Sequence, residues 1–375
     1  MTLLIALIFL IVYPFVIYPL VLWLVAGSRQ PYSPPSTESF EPCVSFIVAI
    51  HNAESMIEKK IENTLALDYP REKIEFIFVS DASTDATDAL IQRHKAIRYV
   101  RLQSRSGKEA ALKRGIEESN FGILCFSDVG AVLDVDGVRK LVRHFADPAV
   151  GAVGAYDQTM HSHFSLETLH VRFGLFFRTL ESRISSAVGV SGCFFAALRK
   201  VCDQIDPKLP PSDLIVSFIC ARAGLRALLD CDVKVRYAKT ATVKSEFTRK
   251  VRTCVHGMRA VIHYRDVMNP FAHGWFAWHV VNHKIMRWLS SLAVAALACT
   301  LGAWFLLSPG RLPVATWAFA AAVGLTALML ASGSLQEKAS GAVAMLVSYG
   351  ATALLALILI STGKRFDSWT PTDRF

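Results

Sequence analysis

The chain has 375 residues with a formal net charge of +9; 53% of the residues are hydrophobic and 19% charged. A composition that apolar excludes a disordered tail, a linker or a small disulfide scaffold, and it predicts a membrane protein with one soluble domain. Residues 1–28 carry no charge and residues 289–361 carry only Arg311, Glu337 and Lys338, whereas residues 29–288 hold 35 Lys and Arg against 28 Asp and Glu. The expected layout is a transmembrane anchor over 1–28, a cytosolic domain over 29–270, an interfacial helix over 271–288, a transmembrane block over 289–362 and a tail over 363–375.

Residues 3–26 form an apolar run of bilayer-spanning length. A cleaved signal peptide is disfavoured, because no Lys or Arg precedes the run and it exceeds a signal core. Arg29 is the first positive charge and lies just behind it. The positive-inside rule then places the soluble domain in the cytosol of a multi-pass inner (plasma) membrane protein. Three further apolar stretches, at about 289–307, 313–331 and 342–361, complete the membrane part. If all three span, the tail with Lys364, Arg365 and Arg374 lies outside, so charge and parity disagree and one segment being re-entrant stays open. Eight cysteines without a C-x-x-C pair, mostly in apolar runs, fit buried free thiols in a reducing cytosol and argue against a zinc ribbon.

In chain order the soluble domain reads as strand 44–50, helix 54–67, strand 74–80, helix 85–94, strand 97–102, helix 107–119 and strand 123–127. That alternation predicts an α/β fold, a mostly parallel sheet covered by helices on both faces. Ligands of such sheets sit beyond the carboxyl ends of the strands. The residues there are His51 to Glu54, Asp81 to Asp85 and Asp128 to Gly130. No G-x-G-x-x-G follows the first strand, and Gly107-Lys108 is followed by Glu109 where a P-loop needs Ser or Thr. Hydride transfer and P-loop phosphoryl transfer are thereby disfavoured. Acidic residues at two strand ends suit a metal ion or the ribose and base of a nucleotide. Asp85 has the place of a helix N-cap, and Asp81 is read either as a nucleotide ligand or as a cap. Ser106-Gly107-Lys108 ahead of a helix suits a diphosphate, or Lys108 is simply a solvated lysine.

Taken together, VSFIVAIHNAE, VSDASTDAT, SGKEAALKRG, CFSDVGAVLD, SGCFFAALRK, PSD, EFTRKVR, NHKIMRWL and the terminal WTPTDR resemble, in order and spacing, the membrane-bound family 2 glycosyltransferases. The resemblance implies a GT-A fold and a nucleotide-sugar donor. It assigns nucleotide-sugar binding to Glu54, Asp81, Lys108 and Asp128, and places Asp128 where the family's D-x-D motif holds Mg2+ or Mn2+ against the diphosphate. Here the third position of that motif is Gly130, which offers no side chain, so Asp134 or a water is left to complete the coordination. Asp213, in Pro-Pro-Ser-Asp ahead of a helical run, matches the family's catalytic base; it also has the place of a helix cap, with Ser212 as the alternative cap. Ser191 and Gly192 match a motif near the acceptor pocket, or a turn before a strand.

Between Lys234 and Arg265 nine basic residues face one acid, Glu246. Arg249, Arg252, His256, Arg259 and His263 recur at helical spacing on one face. Such a stripe beside a membrane block suits anionic lipid headgroups or a diphosphate, and Arg249 and Arg252 are its acceptor or diphosphate contacts; nucleic acid is not the expected partner. The processive Q-x-x-R-W signature of the family is missing from Arg249 to Thr253, which disfavours a polymerase channel. Trp275, Trp278, Trp288, His279, His283, Lys284 and Arg287 suit the membrane interface rather than a zinc site. The expected function is inverting transfer of one sugar from a nucleotide-sugar donor to a lipid-linked or membrane-proximal glycan acceptor, in cell-envelope or polysaccharide biosynthesis. The alternative is a catalytically silent membrane scaffold that binds a nucleotide or a partner, and Gly130 keeps it open.

Overall fold

The run VSFIVAI forms β1 (Val44–Ile50), and all seven of its residues are buried. Both faces of this strand are covered, so its sequence is continuously apolar instead of alternating. Val44, Phe46, Val48 and Ile50 pack with Ile57 and Ile61 on one face, while Ile47 and Ala49 pack with Ala111, Leu112, Ile116 and Ile215 on the other. The computed structural model describes residues 2–30, 32–34, 40–159, 166–238, 243–307 and 355–362. Within these, β1 is joined by β2 (Ile74–Ser80), β3 (Arg98–Arg101), β4 (Ile123–Asp128), β5 (Ala131–Leu133), β6 (Val150–Thr159), β7 (Phe194–Leu198) and β8 (Arg226–Tyr237). They form one sheet in the order β3-β2-β1-β4-β7-β6-β8-β5.

The expected parallel pairing holds from β3 to β4, where Ile50 lies opposite Ser80 and Ala49 opposite Asp128. That register brings the turns after β1, β2 and β4 to one edge. Beyond β4 the expectation fails and the sheet is mixed. β7 runs antiparallel to both β4 and β6, β5 runs antiparallel to β8, and β6 pairs parallel with β8. β7 starts at the edge where β4 ends, with Phe194 opposite Ser127 and Leu198 opposite Ile123, so it runs back against its neighbours. The helices expected near 54–67, 85–94 and 107–119 are present as Ile57–Leu65, Thr87–Gln92 and Lys108–Glu118.

Among the described residues, one helix is long and apolar enough to cross a membrane, Thr2–Gly27. Around Pro14 it relaxes into a π-helical stretch, Tyr13–Ile17, as a proline without an N–H requires. It packs on Leu166–Ile184 through Tyr18, Leu22 and Phe177. There the Tyr18 hydroxyl donates to the buried Glu181 carboxylate at 2.7 Å, and His283 Nδ1 lies 2.8 Å from the same oxygen. The span expected at 289–307 lies within the helix Met286–Leu307. Those expected at 313–331 and 342–361 fall outside the described residues, apart from 355–361, which are helical.

The expected interfacial segment is Pro270–Val280, capped by the Asn269 side chain and bent at Gly274, followed by a second π-helical stretch, Val281–Ile285. Phe271 is 98% exposed, whereas Phe276, His279 and Val280 are buried. The cysteines are all free thiols, but Cys43, Cys231 and Cys299 are exposed, so burial describes only part of the set.

Candidate active site

The two turns after β1 and β2 are laced together. Asn52, at φ 46°, accepts the Thr84 N–H and donates to the Thr84 hydroxyl. Asp85 accepts the N–H groups of Glu54 and Thr87, and the Glu54 carboxylate accepts the Ala86 N–H at 3.2 Å. Asp85 therefore binds the backbone at the start of the following helix, as a cap does, and bridges to the first turn as well. Glu54 stays exposed at the sheet edge, where the nucleotide reading needs it.

Asp81 differs from expectation. It is fully buried, and its two carboxylate oxygens accept the N–H groups of Ser106 and Gly107 at 2.6 and 2.8 Å. Its visible work is to hold the turn that opens the helix Lys108–Glu118, a turn that needs Gly107 because its φ is +94°. The side chain is thus an organiser of the Ser106-Gly107-Lys108 segment and is not open to a ligand in this structure.

Lys108 leaves that turn toward the end of β4. Its Nζ lies 2.5 Å from Asp128 Oδ1 and 3.4 Å from the Gly192 carbonyl. Burial pulls the amine down, but Asp128 outweighs it and holds Lys108 above the ordinary lysine range. It is an engaged lysine, not a solvated one. Lys60 is fully buried beneath the same turn and donates to the Ser127 hydroxyl at 2.6 Å and the Ala131 carbonyl at 2.9 Å. Burial lowers it to about 7 against the pull of Asp128. Asp128, Val129 and Gly130 are therefore pinned on both sides by one lysine.

A divalent ion finds few ligands here. Among the described residues no group of three His, Cys, Asp or Glu is placed to hold one. Asp134, the expected reserve ligand, instead accepts from Arg236 at 2.8 Å on the β5–β8 edge. The donor set still fits a Mg2+-like ion of the kind held by one or two carboxylates with phosphate oxygens and water completing it, with Asp128 as the protein ligand.

Asp213 stands in the first turn of the helix Ser212–Arg222, whose N-terminus has no side-chain cap. The Ser212 N–H points instead at Glu109 Oε1, 3.4 Å away. Neither Ser212 nor Asp213 caps the helix, and the Asp213 carboxylate faces Gly192: a Cβ at that glycine would come within 3.2 Å of Oδ2. Burial raises the carboxyl of Asp213 above the usual range although Lys108, Lys284 and Arg178 pull the other way.

Ser191 holds the turn ahead of β7. It is buried, donates to Asp157 at 2.5 Å and accepts the N–H groups of Cys193 and Phe194, which fixes the turn into β7. Asp157, at the end of β6, and Arg178, on Leu166–Ile184, are site residues that the sequence reading did not find; Arg178 lies 3.6 Å from Asp157 and donates to the Val190 carbonyl. Only their contacts across the fold reveal them.

A cavity of about 240 Å³ opens beside Asp213. Arg249, Lys250, Thr253 and Gly257 of the helix Val243–His263 line it, together with Arg178, Lys284, Arg287 and Trp288. Arg252 is not among its lining residues, so the basic stripe expected on one helix face does not arrive here as a unit.

Residues 45–206 match the family described as glycosyl transferase family 2. That match takes in less than half of the chain, and over it the chain is similar to the family 2 glycosyltransferases. Among curated relatives, a poly-beta-1,6-N-acetyl-D-glucosamine synthase of Staphylococcus aureus is 34% identical over 114 residues, 29% of this chain and 27% of that protein. A beta-monoglucosyldiacylglycerol synthase of Synechocystis is 32% identical over 118 residues, 30% of this chain and 25% of that protein. The matches thus span about a quarter of the length of these relatives. Among solved structures, a mannosyltransferase from Pyrobaculum calidifontis in complex with GDP-Man and Mn2+ superposes with a TM-score of 0.79 at 20% identity, covering 97% of this chain and 99% of the other. The chain therefore shares the fold of that structure, a GT-A-like mixed α/β core.

Proposed function

We propose that this protein is an inverting glycosyltransferase that moves one sugar from a nucleotide-sugar donor to a lipid-linked or membrane-proximal glycan acceptor, with its catalytic domain on the cytosolic side of the inner membrane. The observation that carries the reading is the placement of Asp213: a carboxylate free of capping duty, raised in pKa, against Gly192 and close to the Lys108–Asp128 pair. A raised carboxyl is a stronger base, suited to take the proton of an acceptor hydroxyl. In the proposed step the hydroxyl oxygen bonds to the anomeric carbon on the face opposite the donor diphosphate. Its proton passes to Asp213, and the bond from the anomeric carbon to the diphosphate oxygen breaks with its electron pair leaving on the nucleoside diphosphate. Glu54 and the Asp81-held turn form the nucleotide edge, and Lys108 offers charge to the diphosphate from its place beside Asp128. A Mg2+ or Mn2+ ion on Asp128 would add neutralisation of the leaving diphosphate.

The scaffold reading rests on the sparse ligand set around Asp128, whose Oδ1 already meets Lys108. A thermal-shift panel of nucleoside diphosphates and sugar nucleotides, with and without Mn2+, followed by release of free nucleoside diphosphate on turnover, separates the two. Specific stabilisation together with turnover supports the enzyme. Stabilisation with no turnover for any stabilising donor, in membranes of the native host, refutes it.

A further inference from the structure

Three residues between the helix Leu166–Ile184 and β7 form the wall on which Asp213 rests. The Val190 N–H donates to the Asp213 backbone carbonyl at 3.0 Å, and Gly192 faces the Asp213 carboxylate. Arg178 and Asp157 hold this wall from two separate elements. The Arg178 guanidinium donates to the Val190 carbonyl at 2.9 Å, and the Ser191 hydroxyl donates to Asp157 Oδ1 at 2.5 Å. Arg178 lies 3.6 Å from Asp157 Oδ2, so guanidinium, segment and carboxylate close a ring. Gly154 of β6 tightens the arrangement: a Cβ there would stand 2.5 Å from the Ser191 nitrogen, so the segment has no room to slide toward the sheet.

Packing alone does not call for charges at these two positions. A pair of neutral amides could make the same two hydrogen bonds at a lower desolvation cost. The charges gain their meaning from what surrounds Asp213. The helix Lys108–Glu118 brings Lys108 and Glu109 to it, β4 brings Asp128, and the stretch Val281–Ile285 brings Lys284. Arg249, Lys250 and Arg287 line the cavity onto which it opens. Arg178 is one of the cations that pull the Asp213 carboxyl down, while Asp213 and Asp128 raise the buried carboxyl of Asp157. Charge interactions are mutual, so Asp157 and Arg178 act on Asp213 with opposite signs.

We propose that Asp157 and Arg178 are a positioning pair for the base: they hold Val190, Ser191 and Gly192 as a fixed wall and thereby keep the Asp213 carboxylate aimed at the acceptor hydroxyl. The assignment rests on reading Asp213 as the acceptor-side base. Neither residue acts on the reacting atoms directly, yet a group displaced by about 1 Å loses up to roughly 10²-fold in rate.

The test uses the full chain in neutral detergent micelles. Dicyclohexylcarbodiimide, which adds to protonated carboxyls, is followed at Asp213 by peptide mass spectrometry as a function of pH, and GDP and UDP affinities are measured by calorimetry. Transfer is followed in host membranes as nucleoside diphosphate released from GDP-mannose, UDP-glucose or UDP-N-acetylglucosamine. Asp157→Asn keeps an acceptor for Ser191 but removes an anion, so the labelling midpoint of Asp213 should move down by at least about half a pH unit. Arg178→Gln removes a cation and should move it up by a similar amount, whereas Arg178→Lys should return it to the wild-type value and guards against misfolding of the Gln variant. In both Asp157→Asn and Arg178→Gln kcat should fall about tenfold or more with nucleotide affinity retained. Midpoints that stay in place or move the same way, or an unchanged kcat in both variants, overturn the proposal. So does an equal loss of nucleoside diphosphate affinity in the two, which would give the pair to the donor side. Opposite shifts in a wild-type background that neither binds a nucleotide nor turns over a donor would sink the glycosyltransferase reading and leave the pair standing as what holds Asp213.

Discussion

Replacing Asp213 by Asn removes a charge and little else. The helix Ser212–Arg222 keeps its shape, because no side chain caps it and the new amide occupies the same space against Gly192. Two electrostatic effects oppose each other. An anion in a first turn contributes about 0.3–1 kcal/mol through the helix dipole, while burial penalises the ionised form. Burial wins, since the carboxyl is raised overall. The sign follows: below the ordinary aspartate range folded and unfolded chains are both protonated, and as pH rises through the raised folded value the fold must hold a charge that water would accommodate better. Stability therefore falls with rising pH across that window, and at pH 7 the Asn variant should match wild type or exceed it by up to about 1 kcal/mol, roughly 2–4 °C in Tm for a chain of this size. Turnover should nevertheless fall by about 10²-fold or more, because an amide cannot accept the proton. Donor affinity should survive. The acid limb of the wild-type kcat/KM profile, set by the raised Asp213 carboxyl, should vanish from the residual activity. Paired measurement of transfer, donor affinity and Tm decides the matter. Full turnover in the variant, or an unchanged acid limb, would refute the base assignment.

Asp81→Ala should cost stability as well as nucleotide binding: two charge-assisted bonds to Ser106 and Gly107 are lost, roughly 3 kcal/mol or more, seen as a Tm lower by about 6–12 °C. An unchanged Tm would show that the turn does not depend on Asp81. Gly192→Ala places a Cβ 3.2 Å from Asp213 Oδ2 and should lower kcat while leaving donor affinity and Tm near wild type; unchanged kcat would mean that the carboxylate has room to move. Gly130→Asp supplies a second oxygen ligand beside Asp128 and should strengthen Mn2+ binding in an electron paramagnetic resonance titration, whereas tight binding that survives Asp128→Asn would place the ligands elsewhere.

The parallel half of the fold was legible because burial on both faces forces long apolar runs, as in β1 and β2, and because turns with Asp and Ser punctuate them. The other half was not. β6 contains Gly151 and Gly154 and ends in polar residues, and β8 mixes charges into its pattern, so neither stands out from loop sequence. The register that places Glu54, Asp81 and Asp128 on one edge follows from parallel pairing, so those positions could be read. Asp157, Arg178 and Lys60 could not. Their significance lies in what they touch far away in the chain, such as Lys60 with Ala131, 71 residues on, and Arg178 with Asp157, 21 residues back, and no local pattern encodes that. Sequence spacing could not show that Asp81 is buried against the next turn, since a carboxylate at a strand end looks the same whether its oxygens face a ligand or the backbone.

Glu181 gives the N-terminal helix a significance beyond attachment. Its carboxylate receives the Tyr18 hydroxyl from that helix, and His283 from the cavity wall lies against the same oxygen, while its other oxygen accepts the Val188 N–H just ahead of Gly189 and Val190, which also line the cavity. A shortened chain beginning after residue 28, the usual route to a soluble form, would strip Tyr18 and Leu22 from Phe177 and leave Glu181 facing water beside His283. Such a fragment would keep the nucleotide edge of the sheet and lose the setting of the acceptor side. Donor binding and transfer would then come apart in the truncated protein, and an inactive soluble fragment would say nothing against the enzyme.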